Sequence, residues 1–468
     1  MALVLVIAFG ALVERRTALR RQPGYTDLTV FARAAWAVRH GDSPYNVSDA
    51  NGWHYQYPPT FAILFVPLAD APLVSLPALP AGEKRIAANT PWGYDIASHE
   101  QFYGLHRDNF RFFCIVGIWY CISVALTFLS VHLLACALEK KSFAQSPPRI
   151  PGARGRWWSL RGLSFLTCAI SLGTDWSRGQ TDVLMLAAIS LAFYLAGRSR
   201  DWVAGIFLAL PAAIKIFPLV LLLYPLWRRR WRMVAGMLAG FFIFLIALPV
   251  ITFGPRKTIA SYQTLARVLI EPALGGGLDT TRARELTNIT TVDNQSLLAC
   301  VHRWHYRNVP ITHRPPQAPA MWRAPVCILA AIALAGILAL SRLRRHDSPQ
   351  EMLILGGLLL CVPLIANPIV HNFYYLLLLP LLSALIDRAL PARIEKFSDL
   401  RMPWPVIFFM LTDMLVRLPR IGEMLRDFCL PLLSVLVVMT AGGIALWKRT
   451  EAKPSSLYGE RSLADRVA

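Results

Sequence analysis

Charge is scarce in this sequence. Charged residues fill only 16% of its 468 positions, against about 25% in an average soluble domain. With 55% hydrophobic residues and a mean hydropathy of +0.44 spread along the whole length, this excludes an ordinary soluble fold and places the chain among polytopic membrane proteins. Acidic residues are the scarcer sign, 28 against 48 Lys plus Arg, for a formal charge of +20. A nucleic-acid binder would gather such charge on one solvated face. Here it sits in short loops between apolar runs, as at Lys140-Lys141, Arg228-Arg229-Arg230 and 342–345. That is the positive-inside pattern, so the partners it implies are anionic membrane lipids and no nucleic acid. Cysteine occurs eight times without a CxxC pair, and only Cys300 lies in a long polar loop. Neither a disulfide framework nor a zinc site is indicated. No repeat and no low-complexity segment is found. The apolar stretch 1–13 lacks a small-residue cleavage site and reads as a first helix.

What is present is a series of apolar runs at 1–13, 61–79, 112–138, 162–174, 182–196, 202–227, 233–253, 324–341, 352–366, 373–387, 403–417 and 429–447. They predict an all-α, polytopic helical bundle of roughly 10–12 membrane segments, one domain over 1–450 with a polar tail at 451–468. Basic loops at 139–161, 197–201, 228–232, 342–351 and 388–401 are assigned inside. A first loop at 14–60, the loop 175–181, a long loop at 254–323 and a short one at 367–372 then fall outside. Segment 202–227 has basic flanks on both sides, and Pro211 and Pro218 bracket Lys215. Proline breaks the helical ladder, so a re-entrant hairpin with Lys215 near its tip keeps both ends inside. Segment 61–79, interrupted by Pro67, Asp70, Pro72 and Pro77, reads as re-entrant or interfacial. Arg15, Arg16, Arg20 and Arg21 argue for the opposite side for the first loop.

Four polar clusters stand out. Asp27 precedes an amphipathic run at 28–38 that suits a short helix along the membrane surface. It occupies a natural N-cap position, and spacing alone does not separate capping from catalysis. Tyr57 belongs to the aromatic-proline run 55–59, which fits an interfacial anchor equally well. Gln180 lies in the polar interruption 175–182, either a cavity lining or a tight loop. Lys215 among apolar residues costs a few kcal/mol in lipid and marks a pathway or site. Asn294, Gln295 and Arg303 lie in the long loop, where His302 and His305 read as solvated residues rather than metal ligands. His371 lies in the short outer loop 367–372, predicted on the same face as Asp27.

The run TDLTVFARAAWAVRHGDSPY, then YQYPP, RGQTDVLMLA, AGIFLALPAAIKIFPLVLLLYPLWRRRW, NQSL and NPIVHNFYY, in that order over roughly 25–380, resembles glycosyltransferase family 87 of the GT-C superfamily. The resemblance implies a multi-pass bundle in the cell membrane with its active site on the extracytoplasmic face. It implies a polyprenyl-phosphate sugar donor, typically mannose, and a lipid or glycan acceptor. By motif, Asp27 corresponds to the general base and His371 to the histidine near the donor phosphate, although Ile369 and Val370 replace the tryptophan and acidic residue that family members often carry there. Inverting transfer needs one carboxylate to take the acceptor proton and cations or amides for the departing phosphate. His371, Arg303 and Lys215 are expected as phosphate or structural cations. The phosphate leaves already ionised, so the chemistry calls for no metal and no cofactor. The alternative from another class is a secondary transporter with a broken-helix site around Lys215.

Overall fold

The computed structural model describes residues 2–15, 26–71 without 48 and 50–52, 85–86, 95–96, 109–271, 289–342 without 292, 311, 312 and 316, and 348–448. The chain is an all-α polytopic membrane protein. Apart from a two-residue antiparallel pairing of Arg85–Ile86 with Asp95–Ile96, its regular structure among the described residues is helical. Among the described residues, five helices are long and apolar enough to cross a membrane: Phe110–Leu138, Trp231–Phe253, Met321–Ser341, Pro349–Ala366 and Leu430–Trp447.

The Pro349–Ala366 helix is the centre of the bundle. It is apolar all round, which only a helix enclosed by others tolerates, and nearly all of it is buried. Ser348 starts it with a capping box, its hydroxyl accepting from the Glu351 N–H while the Glu351 side chain accepts from the Ser348 N–H. Leu379–Ala389, Ala320–Arg342 and Leu430–Lys448 pack around it.

The stretch from Asp201 to Arg230 is the hairpin expected from its prolines. The Asp201–Ile214 helix stops at Lys215, whose backbone is extended at φ −128° and ψ 136°. A 3-10 turn, Phe217–Leu222, and a short helix, Leu223–Trp227, follow. The chain has come back to its start by Arg230, whose guanidinium pairs with Asp201 and donates to the Ala196 carbonyl at 2.8 Å. Trp231–Phe241 then runs alongside Asp201–Ile214, with Gly236 seated on the Trp202 carbonyl and Gly240 on Ala209. A β-carbon on Gly236 would lie 2.0 Å from that carbonyl oxygen, so only glycine permits this approach. One end of the bundle therefore carries Lys215 and Asp182; the other carries Ala196, Asp201 and the Arg228-Arg229-Arg230 run.

Proline also shapes the Trp231–Phe253 span. Pro249 cannot donate to the Leu245 carbonyl, and the helix widens to a π-turn over Phe242–Ala247. The Tyr262 hydroxyl donates to the Leu245 carbonyl, and the Thr60 hydroxyl to the Phe244 carbonyl at 2.8 Å. Carbonyls freed at membrane depth need such partners, and the second bond ties the Pro59–Leu64 helix to this span.

Several boundaries and one environment differ from the sequence reading. The basic loop 139–161 holds much of a helix, Pro151–Thr167, which meets Ala169–Arg178 at Cys168. The long loop contains Pro255–Leu265 and Leu297–His305, and Ile421–Asp427 follows the Trp404–Leu415 segment. Over 61–71, the described part of segment 61–79, the chain forms the end of the short Pro59–Leu64 helix and a 3-10 turn, Val66–Leu68. Leu28–Arg39 forms where expected, but most of its residues are buried. It does not lie on an open surface, because Pro59–Leu64 and Val66–Leu68 pack over it and Arg33 forms a buried ion pair with Asp70 at 3.5 Å. The readings that fall on Arg16, Arg20 and Arg21, on Pro72 and Pro77, and on the tail 451–468 lie outside the described residues.

Candidate active site

The site is built outward from the end of the Ala169–Arg178 helix. Asp413, from the distant Trp404–Leu415 helix, caps its start by accepting from the Ile170 and Ser171 N–H groups at 2.9 and 3.2 Å and from the Ser171 hydroxyl. The helix ends at Gly179, in the left-handed region at φ 67°. A β-carbon there would lie 2.2 Å from Leu28 Cγ. Leu28 therefore rests directly on this turn, and Asp27 with it. Replacing Gly179 with Ala should destabilise the fold by about 1–2 kcal/mol from the backbone alone. It should also slow turnover by displacing Leu28, which thermal unfolding beside an activity assay would register.

The Arg178 carbonyl accepts from both the Asp27 N–H at 2.9 Å and the Thr26 hydroxyl at 3.0 Å. Thr26 in turn accepts from the Leu28 N–H at 3.2 Å. Thr26 thus satisfies a donor at the start of the Leu28–Arg39 helix, and the Asp27 carboxylate makes no capping bond. It instead accepts a hydrogen bond from Gln180 Nε2. Burial raises the Asp27 pKa, opposed by the nearby Arg178 charge, the Gln180 bond and Lys215, and reinforced by Asp49. Asp49 is itself buried and accepts from the Thr29 hydroxyl at 2.7 Å and the Trp53 N–H at 2.9 Å.

Below this layer Lys215 Nζ bonds Asp182 Oδ2 at 2.8 Å, both side chains almost wholly buried. The ammonium lies over the rings of Tyr374, Tyr57 and Phe373, 4.4, 5.5 and 5.8 Å from their centroids. Asp175, also buried, faces the N–H groups that open the Asp182–Ala196 helix. The Arg178 guanidinium is half-buried, and among the described residues it has neither an ion-pair nor a hydrogen-bond partner.

The third wall is the 367–372 loop. His371 and Asn294 form a backbone bridge. Asn294 clamps the loop, accepting from the Val370 N–H at 2.9 Å and donating to the Pro368 carbonyl at 2.9 Å, while the Gln295 N–H donates to the Val370 carbonyl at 2.7 Å. His371 stacks on Phe373, ring centroids 5.2 Å apart. Burial, with the charges of Arg178, Lys215 and Arg417 and against Asp293, pushes its pKa down to about 4. It is a neutral imidazole at neutral pH. Asp293 lies 3.6 Å from both Arg417 and Arg426.

The sequence model of glycosyltransferase family 87 matches residues 55–365. The chain belongs to glycosyltransferase family 87. It is a membrane glycosyltransferase, which removes the transporter alternative for Lys215. Comparison with curated proteins finds no match. The matched stretch of this family 87 enzyme holds Tyr57, Gln180, Lys215, Asn294, Gln295 and Arg303; Asp27 and His371 flank it.

The structure brings Asp27, Gln180, Lys215, Tyr57 and His371 to one end of the bundle, with Asn294 and Gln295 bracing the His371 loop. Arg303 stands apart. Its two terminal nitrogens donate to the carbonyls of Asn294 at 2.7 Å, Thr291 at 3.3 Å and Arg426 at 3.2 Å, which ties it to the backbone of the loop. In this glycosyltransferase the sequence reading passed over Arg178, although it lies in the 175–182 cluster, and Asp413. An aspartate within the apolar run 403–417 was a usable signal for the latter.

Proposed function

We propose that this enzyme moves a hexose, mannose being the expected one, from a polyprenyl-phosphate donor to the hydroxyl of a lipid or glycan acceptor, with inversion, on a GT-C type scaffold. The observation that carries this reading is the Asp27 carboxylate: relieved of capping by Thr26, held by Gln180, and set near two cations, Arg178 and Lys215. A base must be ionised yet hold a proton well, and burial among cations supplies that compromise. Asp27 takes the acceptor's hydroxyl proton as its oxygen attacks the anomeric carbon. The bond from that carbon to the phosphate breaks, and the polyprenyl phosphate leaves with the electron pair.

Arg178 is our candidate for receiving the developing phosphate charge, since its fork of donors is uncommitted. Lys215 adds fixed positive charge below it. His371, neutral, is placed to offer the phosphate a hydrogen bond rather than an ion pair. Asn294, Gln295 and Arg303 hold the loop that presents it, and Tyr57 with Tyr374 shields Lys215 from water. The end carrying Asp27 is proposed to face the extracytoplasmic side, because the opposite end gathers Lys140, Arg198 and Arg228-Arg229-Arg230 under the positive-inside rule.

Purified protein in lipid nanodiscs, given polyprenyl-phosphate mannose labelled in the sugar, should move label to an acceptor and release polyprenyl phosphate one for one. Transfer from a nucleotide sugar alone, with the lipid-linked donor inert, overturns the reading. Arg178→Ala should lower donor kcat/KM by about 10²- to 10³-fold, and Arg178→Lys should recover only part of it.

A further inference from the structure

Cys300 and Cys429 lie 129 positions apart in the sequence, yet one guanidinium touches both. Arg303 Nη2 is 3.5 Å from Cys300 Sγ and 3.4 Å from Cys429 Sγ, so one nitrogen brings the two thiols together. Cys300 is buried in the Leu297–His305 helix; Cys429, just after Ile421–Asp427, is more open. Cys429 also has a φ of 56°, a left-handed conformation in which a side chain is costly and glycine is the ordinary choice. The same two segments are already joined by Arg303 and Gln295, which both donate to the Arg426 carbonyl at 3.2 Å. The thiols therefore meet at a contact that persists without them.

We propose that Cys300 and Cys429 are an oxidisable pair that forms an intramolecular disulfide, fastening the Leu297–His305 helix to the turn between Ile421–Asp427 and Leu430–Lys448, beside the His371 loop. The proposal rests on the extracytoplasmic placement of this end, where disulfides persist. The oxidant is a disulfide-bearing thiol oxidoreductase of that compartment. Cys429 is the attacking sulfur, since it is the more accessible, and its neighbours Cys300 and the Arg303 guanidinium lower its pKa below the ordinary thiol value. Its thiolate attacks the oxidant's disulfide and expels one oxidant thiolate. The Cys300 sulfur then attacks Cys429 Sγ, releases its proton, and expels the second oxidant thiolate. Two electrons and two protons pass to the oxidant, and one S–S bond forms. Arg303 keeps its three carbonyl partners, so the loop it anchors is not disturbed, and the covalent tie shortens the excursions of the Asn294 clamp on the His371 loop.

The test is peptide mapping of the full chain, with membranes quenched in N-ethylmaleimide before solubilisation. The expected result is a tryptic species joining the Cys300 and Cys429 peptides, two hydrogens lighter than their sum, that separates on reduction. In Cys300→Ser and in Cys429→Ser the remaining thiol should become alkylated. Dithiothreitol should lower the apparent Tm of the wild type and leave that of the doubly substituted chain where it is. A reporter, Trp304→Cys at an exposed position in the doubly substituted chain, reads the face with an impermeant maleimide on intact cells. Both native thiols alkylated while the reporter labels from outside overturns the disulfide and leaves the functional reading standing. Both alkylated while the reporter labels only after permeabilisation overturns the disulfide through its premise, and with it the proposed face of the active site.

Discussion

Asp27→Asn should abolish nearly all transfer, by about 10³-fold in kcat/KM, in a protein that is no less stable than the wild type. The two halves of that expectation have one cause. Burial raises the Asp27 pKa above its ordinary value, so the folded chain holds this proton more tightly than the unfolded chain does. The stability contributed by the protonated form is fully present below the unfolded pKa, about 3.9, and is lost as pH rises through the folded one. At neutral pH the ionised carboxylate is thus a cost to folding, and a neutral amide relieves it. The local geometry also accepts the change: Gln180 can still donate to the new side-chain oxygen. Gln180 Oε1, which has no partner among the described residues, can accept from the new amide nitrogen. Transfer assays and thermal unfolding on the same preparations check both halves. A variant that loses activity only because it loses its fold would contradict the assignment.

The second large effect concerns Lys215. Lys215→Met should destabilise the protein by roughly 3–5 kcal/mol, because it strands the Asp182 carboxylate with no counter-ion in a buried site beside Asp27 and Asp175. Combining it with Asp182→Asn should recover much of that loss, since a buried ion pair replaced as a unit is often close to neutral. Contacting pairs commonly show coupling of about 0.5–3 kcal/mol, and this one belongs at the upper end. Activity should not return with stability. The double variant still lacks the positive charge beneath the proposed phosphate position, and we expect it to remain about 10²-fold or more below wild type. Unfolding midpoints of the four chains give the coupling, and their transfer rates separate a structural pair from one that also serves the chemistry. Full activity in a refolded double variant would reduce Lys215 to a structural role.

These residues also show what a sequence can and cannot reveal here. The break at Lys215 was legible because Pro211 and Pro218 act locally, on the ladder of their own helix. The return of the chain to Asp201 was legible from the basic flanks alone. The helix at Leu28–Arg39 was legible from its periodicity, but its burial was not, since that depends on the Arg33–Asp70 pair and the turns that pack over it. A capping Asp27 and one free of capping look the same in sequence; they part only when Thr26 is seen accepting from Leu28. The Asp413 cap on the Ala169–Arg178 helix joins positions more than 240 apart, beyond any local pattern. Arg303 shows the opposite limit. A cation in an outer loop suits a phosphate or a structural role equally, and that its terminal nitrogens reach three backbone carbonyls is something no residue type announces.

The most direct test of Asp27 as the base is the dependence of kcat/KM on pH for transfer from polyprenyl-phosphate mannose. Only the ionised carboxylate can accept the acceptor's proton, so the rate should fall as pH drops, with a midpoint above the ordinary carboxylate value because burial raises it. His371, already neutral well above about 4, adds no step near neutrality. In Asp27→Asn the small remaining rate should be flat through that region. An Asp27→Asn enzyme that keeps both the wild-type rate and the acid limb would contradict the account, and the base would have to be sought elsewhere.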